Sequence, residues 1–432
     1  MSMLSYFALI ALMIVIISVV NEKWLHIQGD IVIVLFSLII GIVLLVLEQM
    51  PQFAETMTEL RLKVNFDFAA YLLDGVLCFM LFAGASRVSV TKFRQNLRPI
   101  TLLALLGTLV SSVVYGLMFF VIAWIFRMNM NLWTCILLGC IVSPTDPIAA
   151  TGILSKLGMS KNVTSVIECE SLFNDGTGVA LFLFFKGIVA HESGGNFFYI
   201  MGKELFGAIA VAIVVSFLLF SLLRLTKDPI KHILISLTDV MLVYVICEHM
   251  GFSGVIASVV CGMCFAYMRS RIDRQLQVQD PEKLYDHFWE AADAILNAAL
   301  FMLLGLTVST MTISKYFLLL LPLGIAAVIL SRYAGVRTCT VFMDKNHMPG
   351  NYNSKEFSKL MTWSALKGGL SLALALGTQE LLTDSVYLIV LNTVYITIFF
   401  TVLVQGLTVK KAYFAIEEEK RGASKNRSKR KM

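Results

Sequence analysis

Residues 163–189 read VTSVIECESLFNDGTGVALFLFFKGIV. The run is longer than the ~20 mostly apolar residues that carry a helix across a bilayer, yet it contains Glu168, Glu170 and Asp175. At about 100° per residue, Glu168, Ser171 and Asp175 fall within one narrow arc, and Glu170 and Asn174 flank it one turn apart. The remaining helix surface is apolar and suits protein or lipid. Asp175 lies near the middle of the run, which puts it near the bilayer midplane. An ionisable group at that depth is costly unless it is paired or hydrated. Alone, this pattern fits a structural polar seam as well as a functional one, so the rest of the chain must decide.

The 432 residues are 58% hydrophobic and 15% charged, against about 45–50% and roughly 25% for a soluble domain. This composition excludes an ordinary soluble enzyme, a disordered chain and a nucleic-acid partner, and defines an integral membrane protein. Thirteen apolar segments qualify as spans, near 4–20, 31–48, 67–85, 99–125, 132–154, 163–189, 205–223, 232–250, 252–268, 290–311, 317–340, 357–380 and 386–409. The first lacks a basic region before it and a cleavage site after it, and reads as a retained helix. The tail from Lys410 onward holds nine basic residues, which places it in the cytoplasm and, after thirteen crossings, the N-terminus outside. In that frame 27 Lys and Arg fall on the cytoplasmic side and five outside, among them Arg61 and Lys63. The tail's stretch EEEKRGASKNRSKRKM (417–432), low in apolar residues, reads as solvated or resting on anionic lipid. Cys261 and Cys264 form a CxxC with no second pair, and read as small thiols in a membrane helix.

Two other spans bear on the seam. The fifth contains SPTDP, Ser143 to Pro147, within an apolar stretch. Each proline removes a backbone donor and disfavours continuous helix, which frees carbonyls at membrane depth next to Thr145 and Asp146. The twelfth contains LKGGLSLALAL, with Lys367, Gly368 and Gly369 near its midpoint. Pro- or Gly-interrupted spans in corresponding positions of two halves point to a transport site built from inverted repeats. Opposed half-helix ends carry partial charges of both signs, which Asp146 on one hand and Arg332 or Lys367 on the other can offset. Asp74, Asp239, Glu248, Asp293 and Lys186 read instead as span-end or structural charges.

SPTDPIAATGIL (143–154), ESLFNDGTGVALF (170–182), SRYAGVR (331–337) and WSALKGGLSLALAL (363–376) resemble the cation/proton antiporter 1 family, the sodium/proton exchanger group. So do LDGVLCFMLFAGA (73–85) and ILNAALFMLLGL (295–306), and the motifs occur in the family's order. The resemblance implies an all-α inverted-repeat antiporter bundle with two discontinuous crossing helices. Core helices 4–6 and 11–13 (99–190 and 317–409) would carry the ion. Residues 1–98 and 205–311 would form the scaffold and homodimer contact, and 410–432 the basic cytoplasmic tail. It implies that Asp175 binds the cation or protons, Thr145 offers a backbone oxygen and Ser171 a hydroxyl. Asn174 would stand where electrogenic relatives carry a first aspartate, implying electroneutral exchange. Asp146 would act at the helix crossing, and Glu170 and Arg332 would form a buried ion pair. Lys367 departs from the arginine common at its position. Arginine stays charged and forks bidentately, whereas lysine is a point charge, so no role of that arginine carries over.

The residues argue for the same chemistry without the resemblance. A midplane carboxylate that is charged and empty is costly, so it needs a proton or a cation. Sodium is a hard ion suited to carboxylate, hydroxyl, carbonyl and water oxygens. Competition of proton and sodium, or lithium, for one carboxylate, combined with alternating access, makes an antiporter in the cell membrane that requires no cofactor. Potassium/proton exchange on the same fold is the alternative. An intramembrane enzyme would need a nucleophile or ligand motif, and the six histidines form no HExxH. Broken helices without a pore-lining repeat favour a carrier over a channel.

Overall fold

Proline and glycine chemistry divides the apolar runs of this chain into helices of two kinds, long ones that run unbroken and short ones that stop at mid-depth. The computed structural model describes residues 3–48, 50, 68–191, 197–226, 228–276, 281–343 and 348–429. Arg61, Lys63 and the last three residues of the tail lie outside this set. In chain order the helices are α1 (Met3–Val20), α2 (Gly29–Glu48), α3 (Phe68–Ser86), α4 (Leu97–Ile125), α5 (Leu132–Val142), α6 (Ile148–Lys156) and α7 (Lys161–Val189). They continue with α8 (Phe197–Leu223), α9 (Pro229–Met250), α10 (Gly254–Leu276), α11 (Pro281–Leu306) and α12 (Phe317–Phe342). The last three are α13 (Ser354–Trp363), α14 (Gly369–Leu376) and α15 (384–429, with a wider turn at Phe400–Gln405).

Ten of these helices are long and apolar enough to cross a membrane, where the sequence leads to thirteen. The difference falls on the fifth, ninth and twelfth expected spans. The fifth is split into α5 and α6 because Pro144 and Pro147 interrupt the backbone ladder. The twelfth is split into α13 and α14 around Gly368, whose extended backbone (φ −112°, ψ −166°) ends helical continuity. The apolar part of α10 runs only from Gly254 to Arg269. Its start is set by the glycine turn at Gly251 (φ +67°), a left-handed conformation that closes α9 and favours glycine.

Helices approach closely where small residues meet, the packing mode that operates without a hydrophobic drive between helices. A methyl group on Gly139 would strike the Ser112 carbonyl, and one on Gly335 the Ser111 hydroxyl, so α5 and α12 both lie hard against α4. Gly305 faces Ser37 in the same way across α11 and α2. The buried side chains form two apolar clusters. One joins α8, α9 and α10 to the faces of α3 and α11 that carry Phe82 and Trp289. The other holds the interrupted helices together with α4, α7, α12 and α15. Outward faces carry exposed Phe206, Phe217 and Leu318, as expected for surfaces in contact with lipid.

The apolar stripe of the last helix runs up to the charged tail, whose first residues are anchored to the body. α15 continues out of the apolar region as helix, and Val409, Tyr413 and Ile416 are buried at one-turn spacing. Its polar face is tied down by Lys359 Nζ to Glu419 Oε2 at 2.7 Å and by Lys420 Nζ to the Gly350 carbonyl at 2.9 Å. The Lys420 ammonium also lies 3.9 Å from the centre of the Tyr352 ring, a cation–π contact. The α13 start that receives this face is fixed by a capping box, in which Asn353 accepts from the Glu356 N–H and Glu356 accepts from the Asn353 N–H, both at 2.9 Å.

Candidate functional site

The two interrupted segments cross at their breaks. Asp146 donates its N–H to the Leu366 carbonyl at 2.8 Å, a single antiparallel bridge between the unwound stretches. Four half-helix ends therefore meet at one depth, with the C-terminal ends of α5 and α13 carrying partial negative charge and the N-terminal ends of α6 and α14 partial positive charge. In a continuous helix the Ser143 carbonyl would accept from residue 147, which is a proline without an N–H. Lys367, 2% exposed, donates its ammonium to that carbonyl at 2.8 Å. The Asp146 carboxylate lies at the opposite pole: a Cβ on Gly368, the extended residue just before α14, would stand 3.0 Å from Asp146 Oδ2. The Lys367 N–H is taken up by Thr401 Oγ1 at 3.0 Å, which fixes the break to α15.

The polar arc of α7 faces this crossing. Asn174 Nδ2 donates to Thr145 Oγ1 at 2.7 Å and to Glu170 Oε1 at 2.8 Å, and Asn174 Oδ1 accepts from the Thr145 N–H at 3.2 Å. The Ser171 hydroxyl donates to the Thr145 carbonyl and lies 3.1 Å from Thr145 Oγ1. Glu170 receives both terminal nitrogens of Arg332 at 3.0 Å, a bidentate pair with both residues under 5% exposed. The α7 backbone comes so close to the break that a methyl on Gly178 would overlap the Pro144 ring. Gly178→Ala is expected to cost about 1–3 kcal/mol through overpacking, read as a lower midpoint of thermal unfolding in detergent. An unchanged midpoint would show that the ring has room to move.

Asp175 differs from its neighbours. It is partly buried, makes no hydrogen bond to a described residue, and lines a cavity of about 460 Å³ with Thr145, Asp146 and Gly368. The cavity extends away from the crossing towards Glu168, Ser155 and the ion pair between Arg87 and Asp293. Eight of the residues that the sequence singles out, Thr145, Asp146, Glu170, Ser171, Asn174, Asp175, Arg332 and Lys367, thus gather at the crossing, whereas Glu168, on the same arc of α7, lines the cavity away from it. Sequence reasoning did not find Asn297 and Ser371, which line the same cavity. Ser371 stands two residues beyond the glycine pair, but a serine in an apolar helix ordinarily bonds back to a carbonyl of the preceding turn, so its sequence position gave no signal.

These features define an integral membrane carrier organised around two broken, crossing helices. The family described as sodium/hydrogen exchanger, transmembrane, matches residues 8–415, and the chain belongs to that family. It is a secondary active antiporter that exchanges sodium or a related cation for protons across a membrane. The Na(+)/H(+) antiporter NhaP of Pseudomonas aeruginosa is 28% identical over 397 residues, covering 90% of this chain and 91% of that protein. Sodium/hydrogen exchanger 8 of Arabidopsis thaliana is 30% identical over 323 residues, covering 72% of this chain and 41% of that protein. The solved structure of the sodium proton antiporter MjNhaP1 from Methanocaldococcus jannaschii at pH 8 superposes with a TM-score of 0.75 at 19% identity, covering 96% of this chain and 97% of that one. That likeness establishes the shared fold.

Proposed function

We propose that Asp175 is the exchange site, binding either one sodium or lithium ion or a proton, and that each loaded form allows the helices around the double break to change their access from one side of the membrane to the other. The observation that carries this reading is the position of Asp175 on the cavity wall beside both breaks, its carboxylate without a hydrogen bond to a described residue. A carboxylate so placed is stabilised by whichever cation reaches it and costly when charged and empty. Thr145 lines the wall and is bonded to Ser171 and Asn174, and all three can offer oxygens once their mutual bonds open. Glu170 with Arg332 brace α7 against α12, while Lys367 and Asp146 offset the half-helix ends. Sodium is favoured because the matched family and the NhaP relative are named for sodium/proton exchange.

Exchange is electroneutral on this reading, because Asn174 leaves Asp175 as the only titrating member of the Asn-Asp pair. The moving unit comprises 99–190 and 317–409, in keeping with the packing of α4 on α5 and α12, and of α12 on α13 and α15. Residues 1–98 and 205–311 form the scaffold and the homodimer contact, in keeping with the separate cluster of α8 to α10. The ten long helices, α10 and the two interrupted pairs together make thirteen crossings, with the N-terminus outside and the tail in the cytoplasm of a cell bounded by the membrane it spans.

The test is proton flux in proteoliposomes challenged in turn with sodium, lithium and potassium. Sodium and lithium are expected to collapse an imposed proton gradient, and the rate to be indifferent to a clamped membrane potential. A response to potassium alone would replace sodium as the cargo, and a sustained sodium-driven current would overturn electroneutrality.

A further inference from the structure

The hydroxyls of Ser171 and Thr145 at the crossing are already engaged in hydrogen bonds. The Ser171 hydroxyl is spent on the Thr145 carbonyl, and the Thr145 hydroxyl accepts from Asn174. A cation can recruit them only by breaking hydrogen bonds in a buried network, where an unmade bond is costly. A desolvated hard cation still needs several oxygens around it. Two residues that line the same cavity carry oxygens that require no such exchange. Ser371 Oγ and Asn297 Oδ1 are both buried and have no hydrogen-bond partner among the described residues, and their residues are 1% and 2% exposed.

Each is unpartnered for an identifiable reason. Ser371 lies in the first turn of α14, so the residue four before it, Lys367, belongs to the break and offers no carbonyl in helical register. Buried hydroxyls elsewhere in the site use that register: Thr151 bonds to the Pro147 carbonyl at 2.9 Å and Thr177 to that of Phe173 at 3.0 Å. Asn297 commits its NH₂ group to the Asp293 carbonyl and carboxylate at 2.9 and 2.8 Å, and Asp293 is itself held by Arg87. The amide is thereby oriented with its carbonyl left over. The two elements touch one turn along, where Leu300 of α11 fills the space beside Gly369 of α14.

We propose that Ser371 and Asn297 supply coordinating oxygens, on the cavity walls contributed by α14 and α11, for the cation held by Asp175, and so help determine which monovalent ion is accepted. This rests on the assignment of Asp175 as the exchange site. Because α11 lies in the scaffold of that reading and α14 in the moving unit, the Asn297 contact would be made in this access state and released as the loaded unit moves.

The test compares wild type, Ser371→Ala, Asn297→Ala and Asp175→Asn in proteoliposomes, with sodium-dependent thermal shift of the purified proteins in detergent as a transport-free readout. Ser371→Ala and Asn297→Ala are each expected to raise the half-saturating sodium concentration roughly tenfold, the effect of losing one interaction with a charged ligand, with the maximal rate retained and the sodium-induced thermal shift moved to correspondingly higher concentration. Where Asn297→Ala fails to fold, Asn297→Leu replaces it, and where Ser371→Ala fails to fold, Ser371→Cys replaces it. The cysteine keeps the volume but presents a soft sulfur that suits sodium poorly, so a ligand role predicts the same loss and a packing role predicts none. Unchanged sodium dependence in the alanine variants or their replacements, with Asp175→Asn inactive, overturns this inference and leaves the Asp175 assignment intact. Normal exchange by Asp175→Asn overturns the assignment itself.

Discussion

Asp175→Asn is expected to lower cation-driven proton flux by about 100-fold or more, the consequence of removing a charge–ligand interaction worth several kcal/mol, to the background of protein-free vesicles. The amide has the carboxylate's shape but can neither release a proton nor present a charge to a cation, so both halves of the exchange fail together. The fold should tolerate the change. Asp175 makes no hydrogen bond to a described residue, so no ladder or ion pair is lost, and a neutral group at this depth costs less than a carboxylate without a cation. The thermal midpoint in detergent is therefore expected to stay level or rise while its dependence on sodium disappears. Exchange at the wild-type rate by a correctly folded variant would remove Asp175 from the mechanism.

The second large effect belongs to the pair braced between α7 and α12. Glu170 and Arg332 share two 3.0 Å hydrogen bonds in a site almost closed to solvent. Removing one member leaves the other's charge buried without a partner, a loss of about 3–5 kcal/mol in comparable settings. Arg332→Ala and Glu170→Ala are each expected to lower expression and the thermal midpoint sharply. Asn174 loses one of its acceptors as well in the glutamate variant, so the geometry at Thr145 should loosen and transport fall even in protein that survives purification. The double variant Glu170→Gln with Arg332→Met removes both charges and should recover part of the lost stability, since replacing a buried ion pair by neutral side chains is often close to neutral. Single variants that melt at the wild-type midpoint would show that the pair contributes nothing to stability.

Much of this site was legible in the chain because its causes are local. Helical spacing alone puts Glu170, Ser171, Asn174 and Asp175 on one face, and two prolines within five residues dictate the interruption at Thr145 and Asp146. Glu170 and Arg332 could be paired from the resemblance, since nothing in their spacing links residues so far apart. The structure adds the relationships that depend on two distant segments meeting. The Lys367 ammonium caps a carbonyl that Pro147 leaves without a donor, and neither residue announces the other in sequence. Ser371 and Asn297 matter through what they lack, and an absent partner has no sequence signature. The difference between thirteen expected spans and ten long helices has a related cause: hydropathy cannot distinguish an interrupted crossing from a continuous one. In the tail the apolar positions 409, 413 and 416 were present to be read, but the dense charge around them masked the stripe.

The course of α15 has a mechanical consequence. A single rod extends from Thr401, which accepts the Lys367 N–H, to Glu419, which grips Lys359. At 1.5 Å per residue it measures about 27 Å. A swing of about five degrees at its inner end would sweep the outer end through roughly 2 Å, by the geometry of a lever of that length. Movement too slight to resolve beside the ion would thus arrive magnified at the water-exposed rim, where a spectroscopic label can be attached without touching the machinery it reports on.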